Sequence, residues 1–332
     1  MRRIAWVGLF CAVPLVASCG GHHAGSPPAP AATSTVNPAT LTGSGCGRAV
    51  QHGSTDLTLT VAGRMRTAIV HIPGTYQASR RTPLVLNMHG SASTAASQEG
   101  FTGMDATADA DDFIVIYPQA LIPQGSGFDW NIPGVPLYGG TPVPAGSADD
   151  ISFLTTLVHA AEHLYCVDPS RVYATGFSGG ARMSSQLACD ASGVFAAVAP
   201  VSGLRLPTSC PAKRAVPVLS FHGTADPIDP YGGHGQAYWT YSVPQAAKDW
   251  SRHDRCSSAA QTSHPAATVT LTRYSGCRDG AAVELYTISG EGHEWPGGPH
   301  LPPIYTKELG PQSTAVSADA LIWAFFRAHP LP

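Results

Sequence analysis

Three side chains in this chain could act together on a carbonyl carbon, and each stands where a strand-like run breaks off. The first is Ser178, in Arg171-Val172-Tyr173-Ala174-Thr175-Gly176-Phe177-Ser178-Gly179-Gly180-Ala181-Arg182-Met183. The β-branched and aromatic run from Val172 to Thr175 reads as a buried strand. It passes into Gly176-x-Ser178-x-Gly180, and Ala181 to Ala188 then supplies mostly good helix formers. Strand, tight turn and helix form the context of a nucleophile elbow. Small neighbours let the chain turn sharply there, so the serine hydroxyl stands clear of the sheet. The following helix points its free N–H groups and positive dipole end at the same corner. An oxyanion formed at that corner would meet the Gly179 N–H. The pentapeptide alone also fits a plain Gly-Ser loop, so a base, an orienting acid and a second donor must come from elsewhere.

Other strand ends supply them. After Phe221 comes His222-Gly223-Thr224-Ala225-Asp226-Pro227-Ile228-Asp229, after Ile288 comes Ser289-Gly290-Glu291-Gly292-His293-Glu294-Trp295, and after Met88 comes His89-Gly90-Ser91-Ala92. In this reading Ser178 attacks a carbonyl, His293 takes its proton and returns it to the leaving alcohol, and Asp226 holds the imidazole in the required tautomer. Gly179 and either Ser91 or Ala92 offer the oxyanion N–H groups. His293 is preferred over His89 and His222, which read as shaping the turns one residue beyond apolar strands. Asp226 is preferred over Asp229 on its distance from the strand end. Trp130 and Trp295 are the candidate substrate-binding residues, with Tyr138 and Trp239 as further possible pocket walls. Core packing is the competing reading for all four.

The elements that must hold these residues follow from hydrophobic patterning. Leu57–Val61 and Met65–Ile72 read as a hairpin at a sheet edge. Pro83–Gly90, Phe113–Pro118, Ala196–Val201 and Val216–Gly223 read as strands, the first two as buried ones, and Val283–Ile288 as the last strand. Helices are expected over Ile151–Leu164, opened by Asp149-Asp150 as caps, over Pro244–Trp250, and over Ser317–Arg327. The stretch Gln119–Ala148, rich in Gly and Pro, is too long to be a simple connector and reads as cleft rim. Strands alternating with helices predict one α/β domain with a mostly parallel central sheet and helices on both faces.

The chain has 332 residues, 43% of them hydrophobic and only 12% charged, with a formal net charge of -3. No basic block appears, which argues against nucleic acid as a partner. Arg2-Arg3, the short apolar run Ile4–Ala17 and Val16-Ala17-Ser18-Cys19 read as a lipoprotein signal over 1–18, with acylation of Cys19 and a membrane anchor on the outside of the cell. An ordinary secretory signal is the alternative. Residues 19–44 read as a flexible Gly/Pro/Ser/Thr-rich tether, and 45–332 as the catalytic domain, expected to act as a monomer. With Cys11 in the signal and Cys19 lipidated, Cys46, Cys166, Cys189, Cys210, Cys256 and Cys277 remain. An even number in an exported chain suggests disulfides. Proximity favours Cys189–Cys210 and Cys256–Cys277, leaving Cys46–Cys166, one of fifteen pairings. No C-x-x-C pair supports a zinc site.

Met88-His89-Gly90, Trp130-Asn131, Asp149-Asp150, Val167 through Ser178, His222-Gly223-Thr224-Ala225-Asp226 and Gly292-His293-Glu294-Trp295-Pro296-Gly297-Gly298 together resemble the polyhydroxybutyrate depolymerase and feruloyl/acetylxylan esterase family. The resemblance spans about residues 45 to 328 and implies an α/β-hydrolase fold, for which the chain order Ser, Asp, His is expected. It further implies a serine esterase acting on small or oligomeric esters without metal or organic cofactor. Such proteins often carry a cysteine after His-Gly, where this chain has Ser91. Two other classes share these motifs: a cell-envelope acyltransferase with the same triad, and an inactive binding protein on a hydrolase scaffold.

Overall fold

The computed structural model describes residues 33–299 and 303–332; the signal segment and Cys19 lie outside them. In chain order the strands are β1 (Thr33–Val36), β2 (Gly53–Val61), β3 (Arg64–Ile72), β4 (Thr82–Met88), β5 (Ile114–Pro118), β6 (Ile122–Gln124), β7 (Gly127–Asp129), β8 (Val167–Phe177), β9 (Ala197–Val201), β10 (Val218–Gly223), β11 (Gln261–Ala266), β12 (Val269–Tyr274) and β13 (Val283–Ile288). The helices are α1 (Ala95–Thr102), α2 (Met104–Asp111), α3 (Asp150–Leu164), α4 (Gly179–Asp190), α5 (Val243–His253), α6 (Pro303–Leu309) and α7 (Ala318–Ala328).

Eleven strands form one sheet in the order β1-β2-β3-β5-β4-β8-β9-β10-β13-β12-β11. The six central strands, β5 to β13 in that order, are mutually parallel, and antiparallel strands flank them. Parallel strands buried on both faces must be apolar along their length, and alternate residues divide between two core layers. Leu84, Leu86, Ile114, Ile116, Val172 and Ala174 join the layer containing Phe153 and Leu157 of α3, Met183 and Leu187 of α4 and Trp250 of α5. Val85, Val115, Tyr117 and Tyr173 join the layer of Met104 from α2 and Ile322, Trp323 and Phe326 from α7. The expected α/β-hydrolase architecture, with helices on both faces, is therefore present.

The helix starts follow capping chemistry. Asp149 accepts the Ser152 N–H at 3.0 Å to open α3, and Ser242 caps α5 with proline in its first turn. Asp150 is the first residue of α3, buried and paired with Arg66 at 2.6 Å. Both acidic residues are therefore structural.

Two elements differ from expectation. The tether expected to run to residue 44 ends sooner. The β-branched run Thr33-Ser34-Thr35-Val36 adds a parallel strand to β2, pairing Thr33 with Asp56 and Val36 with Leu59, and Gly45 donates to the Glu162 carbonyl. An open strand edge offers unpaired backbone groups that such a run satisfies. The hairpin β11–β12 was not anticipated; it extends the sheet beyond β13. Its outer strand, Gln261-Thr262-Ser263-His264-Pro265-Ala266, is exposed and polar, as suits an edge strand.

Three disulfides join Cys46 to Cys166, Cys189 to Cys210 and Cys256 to Cys277, matching the pairing favoured by proximity. They fit an oxidising compartment. Among the described residues no helix is long and apolar enough to cross a membrane.

Candidate active site

Parallel strands deliver their following loops to one edge of the sheet. Met88 of β4 is level with Gly176 of β8, Phe177 with Val201 of β9, and Gly223 of β10 with Ile288 of β13. The loops after β4, β8, β10 and β13 therefore emerge side by side. These are the loops carrying Ser91, Ser178, Asp226 and His293.

Ser178 sits between β8 and α4 at φ 52° and ψ −111°. A non-glycine residue there is strained by about 1–3 kcal/mol, so its surroundings must impose it. The Ser178 N–H is held by the Val201 carbonyl at 2.9 Å, and its carbonyl accepts the Arg182 N–H at 3.0 Å. The flanking glycines are required by contact. A Cβ on Gly180 would lie 2.1 Å from the Met88 carbonyl oxygen, and one on Gly176 would lie 2.7 Å from the Gly180 backbone. β4 and α4 thus approach closely enough to exclude any side chain, which leaves the turn sharp and Ser178 at its apex.

His293 and Asp226 meet because their loops are sewn together. Thr224 donates to the Ile288 carbonyl and Ala225 to that of Glu291, both at 2.9 Å. The result is a contact of 2.7 Å between His293 Nδ1 and Asp226 Oδ2. A carboxylate can only accept, so Nδ1 carries the proton and Nε2 is left as the acceptor. Burial opposes charge on His293, but the Asp226 carboxylate outweighs it and raises the imidazole pKa above its ordinary value. Burial likewise opposes ionisation of Asp226, yet His293 and His222 together hold its pKa well below the usual carboxylate range. Asp229, the rival acid, is committed elsewhere: its Oδ2 lies 2.6 Å from Arg182 Nη1 in a buried ion pair.

Two buried glutamates flank His293. Desolvation pushes Glu291 up to about 8, against the Ser313 N–H that it accepts, and pushes Glu294 up to about 7. Both carboxyls are poor sources of negative charge beside the imidazole.

Of the two N–H groups considered beside that of Gly179, the Ala92 N–H is taken by Asp129 Oδ1 at 2.9 Å. This removes Ala92 from the candidate oxyanion donors and leaves Ser91. A Cβ placed on Gly179 would stand 2.9 Å from the Ser91 nitrogen, so both N–H-bearing residues border the same space. Asp129 also accepts the Tyr138 N–H through Oδ2 at 2.8 Å, and Phe128 donates to the Ser93 carbonyl. The long segment 119–148 is thus pinned to the Ser91 loop as a cleft rim.

Ser178 and His293 line one cleft of about 650 Å³. Ser91, Ser93, Thr94, Ser97 and Ser126 line it with hydroxyl groups, and Phe101, Tyr138 and Phe177 give it aromatic surface. The loop before α1, already marked by Ser91 and Ala92, and α1 itself, which the sequence did not mark, form much of this wall. A second concavity of about 540 Å³ lies among β12, β13 and α7 and includes none of Ser178, Asp226 or His293.

The two candidate substrate-binding tryptophans are core residues. Trp130 is buried against His89 and donates to its carbonyl at 2.8 Å, and Trp295 is fully buried and donates to Asp319 at 3.0 Å. Neither borders the cleft. Each indole is bulky enough to fill a gap beneath a functional loop and needs one buried acceptor, which these sites supply. Trp239 is also fully buried, whereas Tyr138 does reach the cleft. His89 shapes its turn as expected: it accepts the Ala120 N–H at Nε2, donates from Nδ1 to the Gly90 carbonyl, and burial pulls its pKa down to about 4. Among the described residues no three His, Cys, Asp or Glu side chains are grouped to hold a metal ion.

Comparison with known proteins agrees with this architecture. The chain is 29% identical over 241 residues to feruloyl esterase B of Piromyces equi, a match covering 69% of the chain but only 42% of that longer protein. It is 29% identical over 345 residues to NocK of Nocardia uniformis subsp. tsuyamanensis, a protein named for an expected esterase activity, covering 95% of the chain and 97% of NocK. Among solved structures, the acetyl xylan esterase from Aspergillus awamori shares the fold, with a TM-score of 0.55 at 16% identity over 78% of this chain and 93% of that one. The elbow, the acid loop up to residue 234 and the strands between them fall inside the match to one family model, described as Esterase PHB depolymerase, over residues 66–234. This chain therefore belongs to the Esterase PHB depolymerase family, an esterase-type hydrolase family.

Proposed function

We propose that the protein hydrolyses carboxylic esters through an acyl-Ser178 intermediate. The observation that carries this reading is the His293 Nδ1–Asp226 Oδ2 contact beside a serine at a strained turn, with Ser178 and His293 sharing one cleft. Ser178 Oγ attacks the ester carbonyl as its proton passes to His293 Nε2. The carbonyl oxygen becomes an oxyanion facing the N–H groups of Gly179 and Ser91. Collapse expels the alcohol, which leaves with the proton held by His293. Water then enters, gives one proton to His293, attacks the acyl carbon and releases the acid, restoring Ser178.

The cleft supports an ester with both hydroxyl-bearing and apolar surface, since its lining offers both hydroxyl groups and aromatic rings. Feruloyl esterase B and the acetyl xylan esterase named above suggest aromatic acids and acetylated sugars as the first substrates to try. We also infer, from sequence alone, that Cys19 is acylated and holds the protein at a membrane; incorporation of an alkynyl fatty acid should disappear in Cys19→Ser.

The test is covalent labelling by a fluorophosphonate, alongside a panel of p-nitrophenyl esters, methyl ferulate and hydroxybutyrate oligomers. Labelling at the Ser178 peptide together with turnover of at least one ester is expected. Labelling elsewhere, or turnover of these esters by protein whose Ser178 is fully labelled, would overturn the reading. Transfer of the acyl group to an added alcohol in preference to water would reassign the enzyme as an acyltransferase.

A further inference from the structure

Asp226 has one more side-chain N–H close to its carboxylate than the mechanism above uses. Its Oδ1 accepts the backbone N–H groups of Ile228 and Asp229, each at 2.8 Å. Its Oδ2 accepts His293 Nδ1 and also lies 3.2 Å from Nε2 of His222. The same Nε2 lies 2.8 Å from the Asp229 carbonyl oxygen. Both neighbours are acceptors, so the proton of His222 must be on Nε2. Its Nδ1 is buried without a partner, as suits the lone-pair nitrogen of that tautomer.

His222 is held in place from several sides. It is the next-to-last residue of β10, fully buried, and borders no part of the cleft. Trp239 stacks on its ring at 5.5 Å and 19°, Tyr231 lies at 6.0 Å, and Trp239 is itself fixed by donation to the Pro230 carbonyl at 2.9 Å. An apolar ring could fill this slot. Only one with an N–H at that position can serve Asp226 and the 226–229 turn together.

Resting on the triad reading, we propose that His222 is a positioning residue for ester hydrolysis: it fixes the plane of the Asp226 carboxylate and shares its Oδ2 with His293. Three N–H groups then bind the carboxylate and the His222 N–H stands 3.2 Å from Oδ2, which lowers its basicity and keeps the transferred proton on the imidazole. The other ionisable groups near this pair are Asp229, Arg182 and Tyr231, with Glu291 and Glu294 on the His293 loop.

The experiment compares wild type, His222→Phe and His222→Gln in pH profiles of kcat and KM for a p-nitrophenyl ester, with Ser178→Ala as the reference. His222→Phe should lose about 10- to 100-fold in kcat with KM little changed. Its acidic limb should move to higher pH, because Oδ2 without the His222 donor attracts the imidazolium more strongly. Glutamine places an N–H near the histidine Nε2 position and should restore both readings. Wild-type kcat and limb in His222→Phe, or a His222→Gln variant as impaired as His222→Phe, would reduce His222 to a packing residue. Should the phenylalanine variant not fold, ¹⁵N spectra of the wild-type histidines decide: an Nε2–H tautomer is expected for His222, and an Nδ1–H tautomer overturns the proposal. Activity surviving in Ser178→Ala would instead remove the triad reading, a separate failure.

Discussion

His293 Nδ1 lies 2.7 Å from Asp226 Oδ2, and both side chains are shut away from solvent. With one acceptor fixed on one side of the ring, the tautomer is set before any substrate arrives. The carboxylate also favours the imidazolium, raising the His293 pKa although burial alone would lower it. Protonated His293 cannot take the Ser178 proton. In the proposed mechanism kcat/KM should therefore be low in acid and rise through a limb above the ordinary histidine value. Asp226→Asn should move this limb to lower pH and reduce kcat on the order of 10⁴-fold, since an amide can present its NH₂ and favour the wrong tautomer. A pH–rate profile of both proteins checks this, and an unshifted limb in the variant would contradict it.

Asp129 joins two segments that line the cleft. It is buried, and its two oxygens accept the Ala92 and Tyr138 N–H groups. Asp129→Ala should free the Ser91 loop and lower kcat by about 10²-fold, the scale of a misplacement near 1 Å. Asp129→Asn keeps one acceptor and should lose less. Steady-state kinetics beside near-ultraviolet circular dichroism separates this effect from unfolding; full kcat in the folded alanine variant would sink the assignment.

Glu291 makes a stability prediction. In the folded protein burial raises its pKa to about 8, while in the unfolded chain it ionises near the usual 4.5. Between these values the folded state binds more protons than the unfolded state, so this group lowers stability as pH rises. Glu291→Gln keeps an acceptor for the Ser313 N–H and removes the titration. Its gain in Tm over wild type should be on the order of a few degrees at pH 8 and near zero at pH 5. An equal change at both pH values would show that Glu291 does not ionise differently on folding.

The parts legible in the sequence were those where local chemistry and topology coincide. Ser178, Asp226 and His293 each follow an apolar strand that enters a glycine-containing turn, and a parallel sheet gathers such turns at one edge. The misreadings share a different cause. Aromatic type alone does not say whether an indole faces a cleft or a core, and Trp130 and Trp295 face cores. Ala92 and Ser91 look equivalent until Asp129, far along the chain, claims one N–H. His222 reads as a turn residue because its contact to Asp226 exists only once the 226–229 turn folds back over the end of β10. β12 went unread although Val269-Thr270-Leu271-Thr272 alternates, and polar β11 becomes a strand only by pairing with it.

The most direct test of the central claim is the capture of the acyl-enzyme. Wild-type protein mixed with p-nitrophenyl acetate should release a burst of p-nitrophenol. Rapid acid quench and peptide mass analysis should then find one acetyl group on the peptide carrying Ser178. Ser178→Ala, with unchanged circular dichroism, should show neither the burst nor the adduct and should lose roughly four to six orders of magnitude in kcat. Undiminished hydrolysis by that variant, or an acetyl group on a different residue in the wild type, would contradict the account.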